Sequence, residues 1–317
     1  MDTLLTMSFR LSWMRWWTVV ALGGFLAGVA AAQEPQPTFR AGVDLVTVRA
    51  IVKDSRGRPV THLEQDDFVL LDKGVPKPLT TFDREVGAVG MALLFDVSGS
   101  MDMPSKLHRA RETAFFLLSN LRSGQDEAAI YAFDSKLHLV QPFTTDLDNL
   151  RGRLSTINPW GATSLHDAIA SAAQVVDPQG RRRRALVVLT DGIDTSSRLK
   201  PAEVSAIASA IDVPVYVMTI VAPVDNYERG ADVPVPEGTL GDLARWTGGQ
   251  LYVTTSPAES SRAARQILEE LRHQYLLAFE PGAQAGWHPV EVRVMGKRDY
   301  VVRARSGYVA GPSRPTS

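Results

Sequence analysis

The 317-residue chain contains no cysteine. That excludes disulfides, thiolate metal sites, a cysteine nucleophile and a lipoprotein anchor. Stability in an oxidising compartment would therefore have to come from the packed core. Charge of one sign is lacking too: 34 Lys and Arg against 35 Asp and Glu leave a formal net charge of −1. No bulk electrostatic attraction to nucleic acid follows from that balance. Neither Gly-x-Ser-x-Gly nor a P-loop occurs, so there is no nucleophile elbow and no Gly-rich phosphate cradle. Long hydrophobic runs are absent apart from Trp16 to Val29. That run follows Arg10 and Arg15 and precedes Ala30-Ala31-Ala32, the pattern of a secretory signal. It is short for a membrane span of about 20 residues. The expectation is an exported chain, periplasmic or extracellular, cleaved after Ala32, with no membrane span after cleavage.

What is present suits a globular protein of about two domains: 44% hydrophobic and 22% charged residues. After a polar linker (33–42), the segment 43–85 reads as short strands. Val46, Val48, Ala50 and Val52 alternate with Thr47, Arg49 and Lys53, the signature of a half-buried strand. From 88 to 272, apolar runs alternate with helical patterns. That order predicts a doubly wound, mostly parallel, Rossmann-like α/β sheet with helices on both faces. A hairpin should turn the Leu137 strand antiparallel. Residues 273–310 return to strands, and 311–317 read as a disordered tail. Each strand group is too small to fold alone. The expectation is one small β-sandwich built from N- and C-terminal strands, with the α/β domain inserted in it.

The stretch that organises the chain is Asp96-Val97-Ser98-Gly99-Ser100-Met101, directly after the apolar run Met91 to Phe95. It should sit in a loop at a strand's C-terminal edge, where open α/β sheets bind ligands. One carboxylate and two hydroxyls at alternating positions are hard oxygens suited to Mg²⁺ or Mn²⁺. Taken alone the pattern is weak, because Asp and Ser before a helix are more often turn and N-cap residues. Two further stretches add to it. Thr163 offers a hydroxyl at the start of another helical pattern, and Asp191 ends the buried strand Leu186 to Thr190.

These three pieces, in this order, resemble the von Willebrand factor type A domain and its metal-ion-dependent adhesion site. The residues that match its Asp-x-Ser-x-Ser, Thr and Asp elements are Asp96, Ser98, Ser100, Thr163 and Asp191. The flanking strands more loosely resemble exported bacterial proteins with a related domain. The resemblance implies a Mg²⁺ (or Mn²⁺) ion whose open coordination position takes a carboxylate from a protein or other ligand. No bond is made or broken in such adhesion, so no enzyme is expected.

Two alternatives compete with adhesion. One is a metal-dependent hydrolase, with Ser98 or Ser100 as nucleophile and His108 or His166 as base. The other is an envelope assembly scaffold whose metal is structural. The long, acidic, Pro-containing connection 222–237 should stand on the rim of the metal face. There Asp225, Glu228, Asp232 or Glu237 would meet a partner or fill the open position. The Arg181 to Arg184 run reads as a solvated turn. It should lie roughly 20 Å from Asp191, at the opposite sheet edge.

Overall fold

The computed structural model describes residues 45–84, 87–159, 161–176, 183–221, 240–296 and 299–311. The expected signal and linker, the acidic rim residues Asp225, Glu228, Asp232 and Glu237, Arg181, Arg182 and residues 312–317 lie outside the described residues.

The first strands are β1 (Val46–Lys53), β2 (Phe68–Asp72), β3 (Val75–Lys77) and β4 (Thr81–Asp83). Then come β5 (Val89–Asp96), α1 (Pro104–Ser119), β6 (Glu127–Phe133), β7 (Leu137–Thr144), α2 (Leu147–Ser155) and α3 (Leu165–Val175). After them follow β8 (Arg183–Thr190), α4 (Pro201–Ile211), β9 (Val215–Ile220), α5 (Leu240–Trp246), β10 (Leu251–Thr254) and α6 (Pro257–Arg272). The last strands are β11 (Tyr275–Phe279), β12 (Gly286–Val294), β13 (Val301–Arg303) and β14 (Gly307–Ala310).

Six of these strands form the central sheet, in the order β10-β9-β8-β5-β6-β7. All pairs are parallel except β6 with β7, as the hairpin at Asp134 to Lys136 demands. Every residue of β5 is buried, because helices cover both faces of the sheet. On one face Met91, Leu93 and Phe95 pack with Leu117 of α1 and Ile267, Leu268 and Leu271 of α6. On the other, Ala92 and Leu94 pack with Ile169 of α3 and Val204 of α4. Full burial of one such Leu or Phe side chain stabilises by about 1.5–3 kcal/mol. The chain leaves β5 towards β6 but leaves β8 towards β9, in the opposite direction. The crevice between the C-terminal ends of β5 and β8 is therefore the switch point of the sheet.

The remaining strands form two antiparallel sheets, β13-β1-β11-β4 and β14-β12-β2-β3. Each mixes N-terminal with C-terminal strands, and both contribute to one core that includes Val48, Ala50, Leu70, Leu277 and Val292. The short strand β3 has no clear sequence signal. It exists because Lys73 and Gly74, both at positive φ, fold the chain back on β2.

Two readings need correcting. The polar face of β1 is only partly open to water: Arg49 and Thr47 bond Asp212 after α4, and Lys53 is buried against Glu270 of α6. Arg184 too is only partly solvated. It pairs with Glu127 at 3.0 Å and lies 4.2 Å over the Phe143 ring, while Arg183 bonds the Arg272 carbonyl. Both mark the sheet edge opposite Asp191.

Candidate functional site

Asp96 is the last residue of β5 and Asp191 follows β8 directly, so strand register alone brings two carboxylates to the switch point. Both are buried, at 0% and 3% exposure. After Asp96 the chain enters a 3-10 turn, Gly99–Asp102. Ser98 stands at the N-cap position of that turn, yet its hydroxyl makes no capping bond. Instead it lies 3.0 Å from the Ser100 hydroxyl. Asp96 performs turn chemistry with one oxygen only, Oδ1 accepting from the Ser98 N–H at 2.9 Å.

Three loops close on one another around this point. The Gly99 N–H donates to the Gly161 carbonyl at 2.9 Å, tying the serine loop to the loop before Thr163. The Thr163 carbonyl accepts from the N–H groups of Thr195 and Ser196, and the Thr163 N–H donates to the Thr195 hydroxyl. That ties the threonine loop to the segment after Asp191. Thr190 then donates its hydroxyl to Asp96 Oδ2 at 2.5 Å, returning to the first loop. Gly161 is required here: its φ is +91°, and a Cβ would stand 3.1 Å from Asp134 Oδ2.

The electrostatics are those of a site short of positive charge. Burial pushes the Asp96 carboxyl up to about 6; bonds from Thr190 and Ser98 oppose the rise, and the charge of Asp191 adds to it. Lys106, in the first turn of α1, places its ammonium 3.1 Å from Asp191 Oδ2. The other Asp191 oxygen accepts from the Ile193 N–H at 3.2 Å. Sequence reading missed both Lys106 and Thr190; Thr190 stood next to Asp191, but nothing local said which carboxylate it would serve.

The structure thus gathers Asp96, Ser98, Ser100, Thr163 and Asp191 on three linked loops, four of them buried and Ser100 partly so. Among the described residues no group of three or more His, Cys, Asp and Glu could hold a metal. A cation here would rest on two carboxylates and neutral hydroxyls, a donor set that fits a hard divalent ion. Neither candidate base is hydrogen-bonded to Ser98 or Ser100. His108 pairs with Glu112 on the exposed face of α1, and His166 pairs with Asp194 at 2.5 Å. Among the described residues no helix is long and apolar enough to cross a membrane.

No curated protein matches the chain in sequence. Several solved structures are similar to it. BatB from Bacteroides thetaiotaomicron, a conserved hypothetical protein, is 22% identical with a TM-score of 0.47, covering 57% of this chain and 97% of its own. A von Willebrand factor type A protein from Catenulispora acidiphila is 14% identical with a TM-score of 0.48, covering 88% of this chain and 76% of its own. Proximal thread matrix protein 1 from the mussel byssus, with a zinc-occupied adhesion-site motif, is 14% identical with a TM-score of 0.49, covering 63% and 49%. In sequence, residues 91–193 match the family model of the von Willebrand factor type A domain. That match and the six-stranded layout together support reading this part of the chain as a von Willebrand factor type A domain.

Proposed function

We propose that the chain is a divalent-metal-dependent protein-binding module whose site is Asp96, Ser98, Ser100, Thr163 and Asp191. The observation that carries this reading is the juxtaposition of two buried carboxylates with three hydroxyl-bearing residues at the switch point of the sheet. Asp96 and Asp191 would supply negative charge, and Ser98, Ser100 and Thr163 neutral oxygens. Bound there, Mg²⁺ or Mn²⁺ supplies a positive centre with a coordination position left for a partner's carboxylate. The chain's own contribution is preorganisation: the loop-to-loop bonds hold the five residues in place before any ion or partner arrives. Binding without catalysis is the favoured reading, since neither His108 nor His166 is hydrogen-bonded to Ser98 or Ser100, whose hydroxyls bond each other. The acidic residues Asp225, Glu228, Asp232 and Glu237 are proposed only as rim contacts for the partner.

Calorimetric titration of Mg²⁺ into wild type and Asp96→Asn tests the site. The substitution keeps the shape of the side chain and removes its charge, and affinity should fall by well over tenfold. Equal affinity in the two proteins would refute the assignment. A pull-down from the envelope fraction, with and without EDTA, tests the adhesive role. A metal that is only structural would lower the melting temperature on chelation without releasing any partner.

A further inference from the structure

Lys106 is a Lys buried to 3% exposure, and Lys is almost never buried unless it is paired. Asp191, a carboxylate that it pairs with, is also a member of the proposed metal site. Asp191 Oδ2 faces the Lys106 ammonium and Asp191 Oδ1 faces the Ile193 N–H, so both oxygens already have a donor. A cation that uses Asp191 Oδ2, directly or through a water, must share it with that ammonium or displace it, and one that uses Oδ1 still comes within a carboxylate's width of the ammonium's charge. The first turn of α1 sets where the ammonium sits. Pro104 opens the helix, and the Lys106 N–H donates to the Met103 carbonyl at 2.9 Å. From there its side chain reaches across the crevice to a residue 85 positions later. Lys106 sets a positive charge against Asp191, one of the two carboxylates of the site.

We propose that Lys106 is a tethered cation that competes with the divalent ion for Asp191, holding the metal-free site together and setting metal affinity below what its oxygens alone would give. The inference rests on the metal-site reading above. It adds that the site carries its own occupant, so that metal loading is an exchange of one cation for another. Two consequences follow. The metal-free domain keeps its loop arrangement, because Asp191 is never left as an unpaired buried charge. Metal binding also becomes conditional: a partner carboxylate that joins the ion's shell adds the free energy that tips the exchange.

The test is calorimetric Mg²⁺ titration of wild type, Lys106→Met and Lys106→Gln, with thermal melts of each in EDTA and in Mg²⁺. Met keeps the length of the side chain without the charge. Gln keeps a hydrogen-bond donor for Asp191 and covers the case in which the Met variant fails to fold. The expected result is Mg²⁺ affinity raised about tenfold or more in both variants. Their melting temperature in EDTA should be lower than wild type, and the Mg²⁺-induced rise larger. Unchanged or weakened Mg²⁺ binding in the variants, with wild type binding normally, overturns the competition and leaves the metal site standing. No Mg²⁺ or Mn²⁺ binding by any of the three proteins overturns the metal reading itself, and this inference with it.

Discussion

At the scale of single residues, buried charge decides most of what is distinctive here, and Asp126 shows how. It is 0% exposed and sits in the connection between α1 and β6. Its carboxylate accepts from the Val89 N–H at 2.9 Å, from the Arg122 N–H at 2.8 Å and from the Arg122 guanidinium at 2.8 Å. Burial by itself would raise its pKa. The Arg122 guanidinium and the two backbone donors outweigh burial and hold it at about 2, below the ordinary 3.8. A folded-state value below the unfolded one means stability that is present above pH 3.8 and lost as pH falls towards 2. Since Arg122 is itself partly exposed, the contribution is discounted to about 1–2 kcal/mol. Asp126→Asn should remove that amount at pH 7 and flatten the acid limb of a urea-denaturation series between pH 4 and 2. An unaltered acid limb would show that Asp126 does not control it. His288 of β12, Asp72 and Tyr308 form a second buried polar cluster, bonded to one another at 2.8–3.2 Å. The two ring nitrogens of His288 reach Asp72 and the Gln284 carbonyl, which ties this cluster into the sandwich core.

At the scale of elements, local chemistry sets where helices begin. The Asp146 side chain accepts from the Asn149 N–H at 3.1 Å and starts α2; Ser256 accepts from the Glu259 N–H at 3.3 Å and starts α6. Asp146→Ala should therefore cost about 1 kcal/mol, a fall of roughly 2–4 °C in melting temperature. Mg²⁺ affinity should not change, because α2 supplies no residue to the candidate site. A matching loss of Mg²⁺ binding would mean that α2 supports the site in a way its contacts do not reveal. The α6 helix shows the limit of such reading. Its Ala264, Ile267, Leu268 and Leu271 follow helical spacing into the central core, but Glu270 is as buried as they are. In the sequence, Glu269 and Glu270 look like an ordinary solvated pair.

At the scale of the whole described molecule, Glu270 joins the central sheet's last helix to the flanking sheets. It pairs with Lys53 of β1 and Arg303 of β13, and accepts from the Tyr252 hydroxyl at 3.3 Å. A second junction lies at Asp212, where Arg49 and Arg305 converge on the C-terminus of α4. Asp212 has φ +59°, a left-handed conformation at the end of that helix. Removing one partner of a buried ion network leaves charge uncompensated and typically costs about 3–5 kcal/mol. Lys53→Met should fall near the lower end, because Arg303 still faces Glu270. Because Glu270 serves both Lys53 and Arg303, the loss in Lys53→Met/Glu270→Leu should be smaller than the sum of the two single losses. A double-mutant cycle by denaturant unfolding measures this, and strictly additive losses would show that the two side chains are not coupled.

Much of this architecture was legible in local pattern. A fully apolar run followed by Asp-x-Ser-x-Ser set the end of β5 and the loop after it, because strand burial and turn chemistry are short-range. Alternating strands and helices gave the parallel sheet, and the Asp134 to Lys136 turn its one antiparallel pair. The alternation at Val48, Ala50 and Val52 gave the core face of β1. The order of the strands, and hence the meeting of Asp96 with Asp191 at one crevice, needed the fold. So did every partner that crosses it: Thr190 on Asp96, Lys106 on Asp191, Lys53 and Arg303 on Glu270, Arg49 on Asp212. Periodicity and capping are properties of a few neighbouring residues. Which buried charge faces which is decided by register and packing between segments up to some 220 residues apart, and a sequence pattern carries no trace of that.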